Sequence, residues 1–207
     1  MKKLLAFILL LLSNINLYSQ DNLSERKIFD NSYFGICTAF GRNQPIRFQT
    51  LNDDNAKYLG KESYSIGLKY LLTVSQKLKI EFGTLYSIYS INYEYPPPFI
   101  FIENSILESI KIISIPIIIK ICSAKNYYVS SGTMFDFSLP RKKTYYTDRQ
   151  TGFGLNLGAG KIFLINKFSI DIGPNIDLHS VVPIDPIKYQ QRLIDVSIKV
   201  GLNYNLN

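Results

Sequence analysis

Tryptophan is absent from this chain, histidine occurs once, and cysteine and methionine occur twice each. A single histidine leaves no histidine-rich metal centre, and no Cys/His/Asp grouping has the spacing of metal ligands. Two cysteines cannot build a disulfide framework, although one pair in an exported chain is chemically reasonable. Cys37 and Cys122 fall on the first and fourth of the strands read below, and a bridge needs Cα atoms within about 7 Å. Two buried thiols packing as small apolar groups are therefore the favoured reading. No apolar run reaches the roughly 20 residues that a membrane-spanning helix needs. No Lys/Arg run is interleaved with stacking aromatics, so the net charge of +7 is too diffuse to suggest a nucleic-acid partner. The stretch GFGLNLGAGK (152–161) lacks the G-x-x-x-x-G-K-[ST] spacing of a phosphate loop, with Leu155 at the first glycine position and Ile162 after Lys161.

Against these gaps stands an abundance of β-branched and aromatic residues, including 15 tyrosines and 13 phenylalanines. The most apolar stretch is Ile110–Cys122, IKIISIPIIIKIC. Isoleucine is stiff at χ1 and sits well on a pleated surface, so this is a strand. Lys111, Pro116 and Lys120 interrupt it as a spanning helix, whereas a tilted membrane strand needs only roughly 9–11 residues. Alternation places Ile113, Ile115, Ile117, Ile119 and Ile121 on a lipid-facing side.

The N-terminus has the charged, apolar, polar order of a secretory signal: Lys2 and Lys3, then Leu4–Leu12, then Ser13–Gln20. Residues 1–19 are read as a signal peptide cleaved after Ser19, 20–31 as a short periplasmic segment, and 32–207 as one domain. The first cysteine lies too late for a lipoprotein. Without Lys2 and Lys3 the net charge is about +5, ordinary beside anionic headgroups.

Period-two alternation recurs along the domain. It is read at Ser32–Gly41, Tyr64–Thr73, Leu78–Ile88, Ile110–Cys122, Tyr127–Leu139, Gly152–Phe163, from Phe168 past Gly173, and Ile194–Tyr204. Beyond Ile88 the pattern lapses, with Ser90, Asn92 and Glu94 where apolar residues were due. The connections run long, short, long, short, long, short, long: Arg42–Lys61, Phe99–Ser109, Pro140–Thr151 and His179–Gln191 are long. This rhythm predicts an all-β, eight-stranded antiparallel up-and-down transmembrane β-barrel with short periplasmic turns, both termini periplasmic, in an outer membrane. Closure is required because an open sheet in lipid leaves edge N–H and C=O groups unpaired. Tyr64, Tyr86, Tyr127 and Tyr204 are placed to form aromatic girdles. Pro116, mid-strand with no free edge, must cost a ladder bond or sit at a bulge.

IPIIIK (Ile115–Lys120) is similar to the IPLLLK signature of the PorT-like outer-membrane β-barrel family. SSGTMFDF (130–137) and GFGLNLGAG (152–160) resemble that family's glycine-containing segments. The resemblance spans the mature chain and implies an eight-stranded outer-membrane barrel, some relatives of which take part in type IX protein secretion. It brings no catalytic residues. The C-terminus departs from the common barrel pattern by ending Leu206-Asn207 rather than in an aromatic residue.

Lys69, Lys79, Glu81, Lys120, Asp136, Asp171, Asp195 and Lys199 all have lumen parity. An eight-stranded barrel is filled by side chains, so mixed charges there are expected to pair into a plug, with Glu81 beside Lys120. A narrow pore is the alternative. His179 and Ser180, with Asp177 or Asp185 as third member, raise a lipid-modifying enzyme as another alternative. Adjacent strand residues point to opposite faces, however, and an exposed loop-base histidine is favoured. Apolar Phe99, Ile100 and Phe101 and basic Arg141, Lys142 and Lys143 are candidate loop contacts for a protein partner or lipid phosphate. The expectation is a barrel without enzymatic activity or cofactor that docks envelope or secretion proteins.

Overall fold

The computed structural model describes residues 32–47, 57–75, 77–94, 105–140, 148–184 and 191–206. The proposed signal peptide and residues 20–31 lie outside them. Eight antiparallel strands pair in sequence order and close into a barrel. They are β1 (Ser32–Arg47), β2 (Lys57–Thr73), β3 (Leu78–Glu94), β4 (Ser105–Cys122), β5 (Tyr127–Ser138), β6 (Gly152–Ile165), β7 (Phe168–Pro183) and β8 (Gln191–Asn205). Closure is made by β1 on β8, from Tyr33↔Asn205 to Arg47↔Gln191. No described residue is helical.

Three tight turns join β2–β3, β4–β5 and β6–β7 at one end, beside the start of β1 and the end of β8. Leu206 N–H donates to Ser32 O at 3.0 Å and Asn205 N–H to Lys167 O at 2.7 Å. Asn126 and Asn166 take positive φ in two of these turns, at 61° and 52°. Asparagine is among the few residues that tolerate that conformation without a glycine.

Outward positions along the strands form a continuous apolar belt. It includes Phe34, Ile36 and Phe40 on β1, Tyr64, Ile66 and Leu68 on β2, Ile115, Ile117, Ile119 and Ile121 on β4, and Val196, Ile198 and Leu202 on β8. Exposed apolar surface on this scale is not stable in water and faces lipid. Of the four girdle tyrosines, Tyr64, Tyr127 and Tyr204 are exposed, and Tyr86 is half-buried. Phe40 packs edge-on against Tyr64 at 5.9 Å and Phe168 against Tyr204 at 5.3 Å.

Several strands outrun their sequence-based limits. β1 continues past Gly41 to Arg47 and β2 begins at Lys57, so the Arg42–Lys61 loop is largely strand. β3 continues to Glu94, and β4 starts at Ser105, inside the expected Phe99–Ser109 connection. The apparent lapse after Ile88 is an exchange of polarity between the two faces, with the parity of the strand unchanged. Below it β3 turns Phe82, Tyr86 and Ile88 outward and Glu81 and Ser87 inward; above it Ser90, Asn92 and Glu94 face outward while Tyr89 and Ile91 are buried. β4 reverses at the paired level, apolar outward up to Ile113 and then Lys111 and Ser109, with Ile110 and Ile112 inside. A strand leaving lipid for water must make this exchange, because its outer face then needs polar groups and its inner face an apolar core. Tyr89, Ile91, Ile110, Ile112 and Leu193 supply that core, with Tyr58 against it.

Pro116 is accommodated without a bulge. β3–β4 pairing keeps one register from Phe82↔Ile117 to Leu85↔Ser114, and the pairs lapse only opposite Pro116 and Ile115. On its other side Pro116 stays in register with Met134. The cost is a local loss of ladder pairing.

Candidate functional site: a charged lumen and a buried histidine

The lumen is filled in layers. Nearest the short-turn end, Cys122, Tyr128 and Ile162 form an apolar floor. Gly160 makes room for the Tyr128 ring, since a Cβ there would lie 2.7 Å from the Tyr128 hydroxyl. Cys37 and Cys122 are both buried and both free thiols.

Above the floor lies an ionic layer contributed by five strands. Glu81 on β3 accepts a hydrogen bond from Lys199 Nζ at 2.7 Å and stands 2.7 Å from Lys120 Nζ and 3.9 Å from Lys69 Nζ. Asp171 on β7 pairs with Lys69 and, at 3.4 Å, with Lys120, and also accepts from Asn203 Nδ2 at 2.9 Å. Three ammonium groups thus share two carboxylates, all at most 6% exposed. The arrangement explains Gly201 on β8: a Cβ there would collide with Lys69 Nζ and crowd Asp171. Such a layer crosses the lumen, each charge held by groups reaching over from other walls.

Of the eight charged residues singled out from sequence, these five come together, Glu81 beside Lys120 among them. The other three stand apart. Lys79 is half-buried with its Nζ 5.3 Å from the centre of the Tyr33 ring. Asp195 lies higher, opposite Asp177 in the β7–β8 ladder, and its Oδ1 has no partner among the described residues. Asp177 is held instead by Asn156 and Asn175, at 2.5 and 2.8 Å.

Asp136 belongs to a second cluster that the sequence did not reveal. His179 is not at the base of a loop. β7 runs on to Pro183 and the imidazole is buried in the lumen at 1% exposure. Its Nδ1 lies 3.0 Å from Asp136 Oδ2 and its Nε2 2.7 Å from the Tyr89 hydroxyl. Ser114 Oγ donates to Asp136 Oδ1 at 2.6 Å, and Ser180 N–H to Asp136 Oδ2 at 3.3 Å. The carboxylate beside His179 is therefore Asp136 from β5, not Asp177, while Asp185 lies outside the described residues. Strand parity also fails for Ser180. The β6–β7 register shifts between Phe153 and Leu155, and Ser180 sits at φ 51°. This bulge turns His179 and Ser180 both inward. Ser180 Oγ then donates to Thr151 O at 3.2 Å rather than approaching the imidazole. With both ring nitrogens occupied and the serine engaged elsewhere, the group has the geometry of a structural tie joining β3, β5 and β7.

At the long-loop end, Asp148 and Gln150 fold inward from the connection before β6. Gln191 N–H donates to Asp148 Oδ2 at 3.1 Å and Leu193 N–H to Gln150 Oε1 at 3.2 Å, and both acceptor residues are buried. The candidate contacts Phe99, Ile100, Phe101, Arg141, Lys142 and Lys143 lie outside the described residues. No group of three or more His, Cys, Asp or Glu among the described residues is arranged to hold a metal ion.

The chain superposes on outer membrane protein AlkL, determined in DMPC lipid bilayers, with a TM-score of 0.56 and 8% identity, covering 91% of this chain and 96% of that one. It also matches outer membrane protein OprG from Pseudomonas aeruginosa, with a TM-score of 0.50 and 9% identity, covering 86% of this chain and 96% of that one. The fold is that of an eight-stranded outer-membrane barrel. No family model and no curated protein sequence matches the chain. Identity this low carries fold alone, so a specific role has to be argued from the barrel's own residues.

Proposed function

We propose that this barrel resides in the outer membrane with its short turns in the periplasm, and that it docks an envelope protein without conducting ions or carrying out catalysis. The PorT-like resemblance of Ile115–Lys120 makes a secretion component the partner class of choice. The observation that carries the reading is the extension of β2, β3 and β4 beyond the lipid boundary as a stiff wall with its own apolar core of Tyr89, Ile91, Ile110 and Ile112. Strands of 17, 17 and 18 residues are far longer than crossing requires. Leu107 projects from this wall at 69% exposure, above Lys111 and Ser109, and an isolated apolar side chain on a rigid polar wall is a suitable anchor for a partner. The closed ionic layer supports the absence of a pore, and the occupied imidazole supports the absence of a catalytic base.

Because Cys37 and Cys122 are buried, Leu107→Cys supplies a single exposed thiol for cross-linking in native membranes. A discrete adduct with an envelope protein is expected, and its absence would overturn the docking assignment. His179→Ala is expected to leave the acylation pattern of the membrane lipids unchanged while loosening the barrel, by about 1–3 kcal/mol for a buried carboxylate and phenol left short of a partner. A changed lipid profile on mass spectrometry would instead establish the enzyme.

A further inference from the structure

Among the described residues, the short turns carry charge of one sign. Each tight turn presents one exposed lysine: Lys77 between β2 and β3, Lys125 between β4 and β5, and Lys167 between β6 and β7. A fourth, Lys161, projects from the outer wall of β6, directly opposite Tyr127 in the β5–β6 ladder. Its Nζ stands 5.0 Å from the centre of the Tyr127 ring and 5.2 Å from that of Phe163, two exposed rings of the lipid-facing belt. None of these four lysines forms an ion pair among the described residues. The opposite boundary is mixed in sign, with Arg42, Glu62 and Lys111 all outward and exposed.

We propose that this rim, centred on Lys125, Tyr127 and Lys161, binds the phosphate of anionic phospholipids in the leaflet that meets the short turns. The inference rests on the membrane placement above and adds a ligand class and a site to it. Lys161 holds its ammonium over two exposed aromatic rings of the belt, one strand step from the short turns, a position from which a long side chain reaches the interface. Tyrosine at the same level brings a hydroxyl to the same depth. An ammonium on the lipid-facing wall with no protein carboxylate takes its counter-charge from the headgroups, and each such lysine contributes an attraction that corresponds to about a fivefold preference for anionic over zwitterionic lipid.

The test uses the folded barrel in phosphatidylcholine vesicles doped with spin-labelled phosphatidylglycerol or spin-labelled phosphatidylcholine, comparing the motionally restricted fraction of each. Wild type is expected to favour the anionic label about fivefold or more, weakening as salt is raised. K125Q/K161Q is expected to fall towards parity, whereas Lys111→Gln at the other boundary leaves the preference intact. Parity in wild type, an unchanged preference in K125Q/K161Q, or an equal loss in Lys111→Gln would each overturn the assignment. Because all three proteins are first shown to be folded in vesicles, failure of this inference is separable from failure of the barrel itself.

Discussion

Replacing Glu81 by glutamine is expected to lower the free energy of unfolding in lipid vesicles by about 3–5 kcal/mol, the range for breaking a buried ion pair from one side. The isosteric change removes one negative charge and leaves Lys69, Lys120 and Lys199 with Asp171 alone. Lys199 suffers most, because Glu81 is its one carboxylate partner among the described residues. Adding Lys199→Met to Glu81→Gln is therefore expected to recover a large part of the loss, since the second change deletes the charge that the first stranded. The double-mutant cycle, read from urea midpoints, is expected to show a coupling of about 1–3 kcal/mol. Additive effects, or a Glu81→Gln barrel as stable as wild type, would mean that water screens these charges and that the lumen is not blocked at this level.

Substituting arginine on the lipid face is expected to have the second large effect, and one that depends on height. Ile117 is half exposed in the middle of the β4 belt, where arginine costs about 2–4 kcal/mol of folding free energy in a bilayer. Leu107 lies on the same face of the same strand beyond the reversal at Ile113, so Leu107→Arg is expected to cost about 0–1 kcal/mol. The comparison holds strand, face and chemistry constant and varies only depth. Equal penalties at the two sites would move the lipid boundary away from Ile113 and with it the projecting wall.

The belt was legible in the sequence because isoleucine at every second position, as in Ile113–Ile121, admits few other interpretations. The three short turns were legible too, from polar residues between alternating runs. The extension of β3 was not: after Ile88 the alternation persists with its faces exchanged, so a search for apolar residues at the old parity finds Ser90, Asn92 and Glu94 and stops. Charged lumen residues were identifiable by parity, but parity places a residue on a face and says nothing of height, so Lys79, Asp136 and Asp195 could not be separated from the five that meet. The burial of His179 is hidden in the sequence for a different reason. Its burial depends on a bulge at Ser180, where neither a glycine nor an asparagine advertises positive φ, and on Asp136 and Tyr89 arriving from strands distant in sequence.

Electrophoretic heat-modifiability of the protein from an outer-membrane fraction separates a closed membrane barrel with a packed lumen from a soluble β-fold. A closed barrel whose walls are joined across the lumen by ionic and hydrogen-bonded layers resists detergent at room temperature. The unboiled protein is therefore expected to migrate as a compact band distinct from the boiled one, and Glu81→Gln to convert to the unfolded band at a lower temperature. A single band unaffected by boiling, with the protein recovered in the soluble periplasmic fraction, would contradict the account.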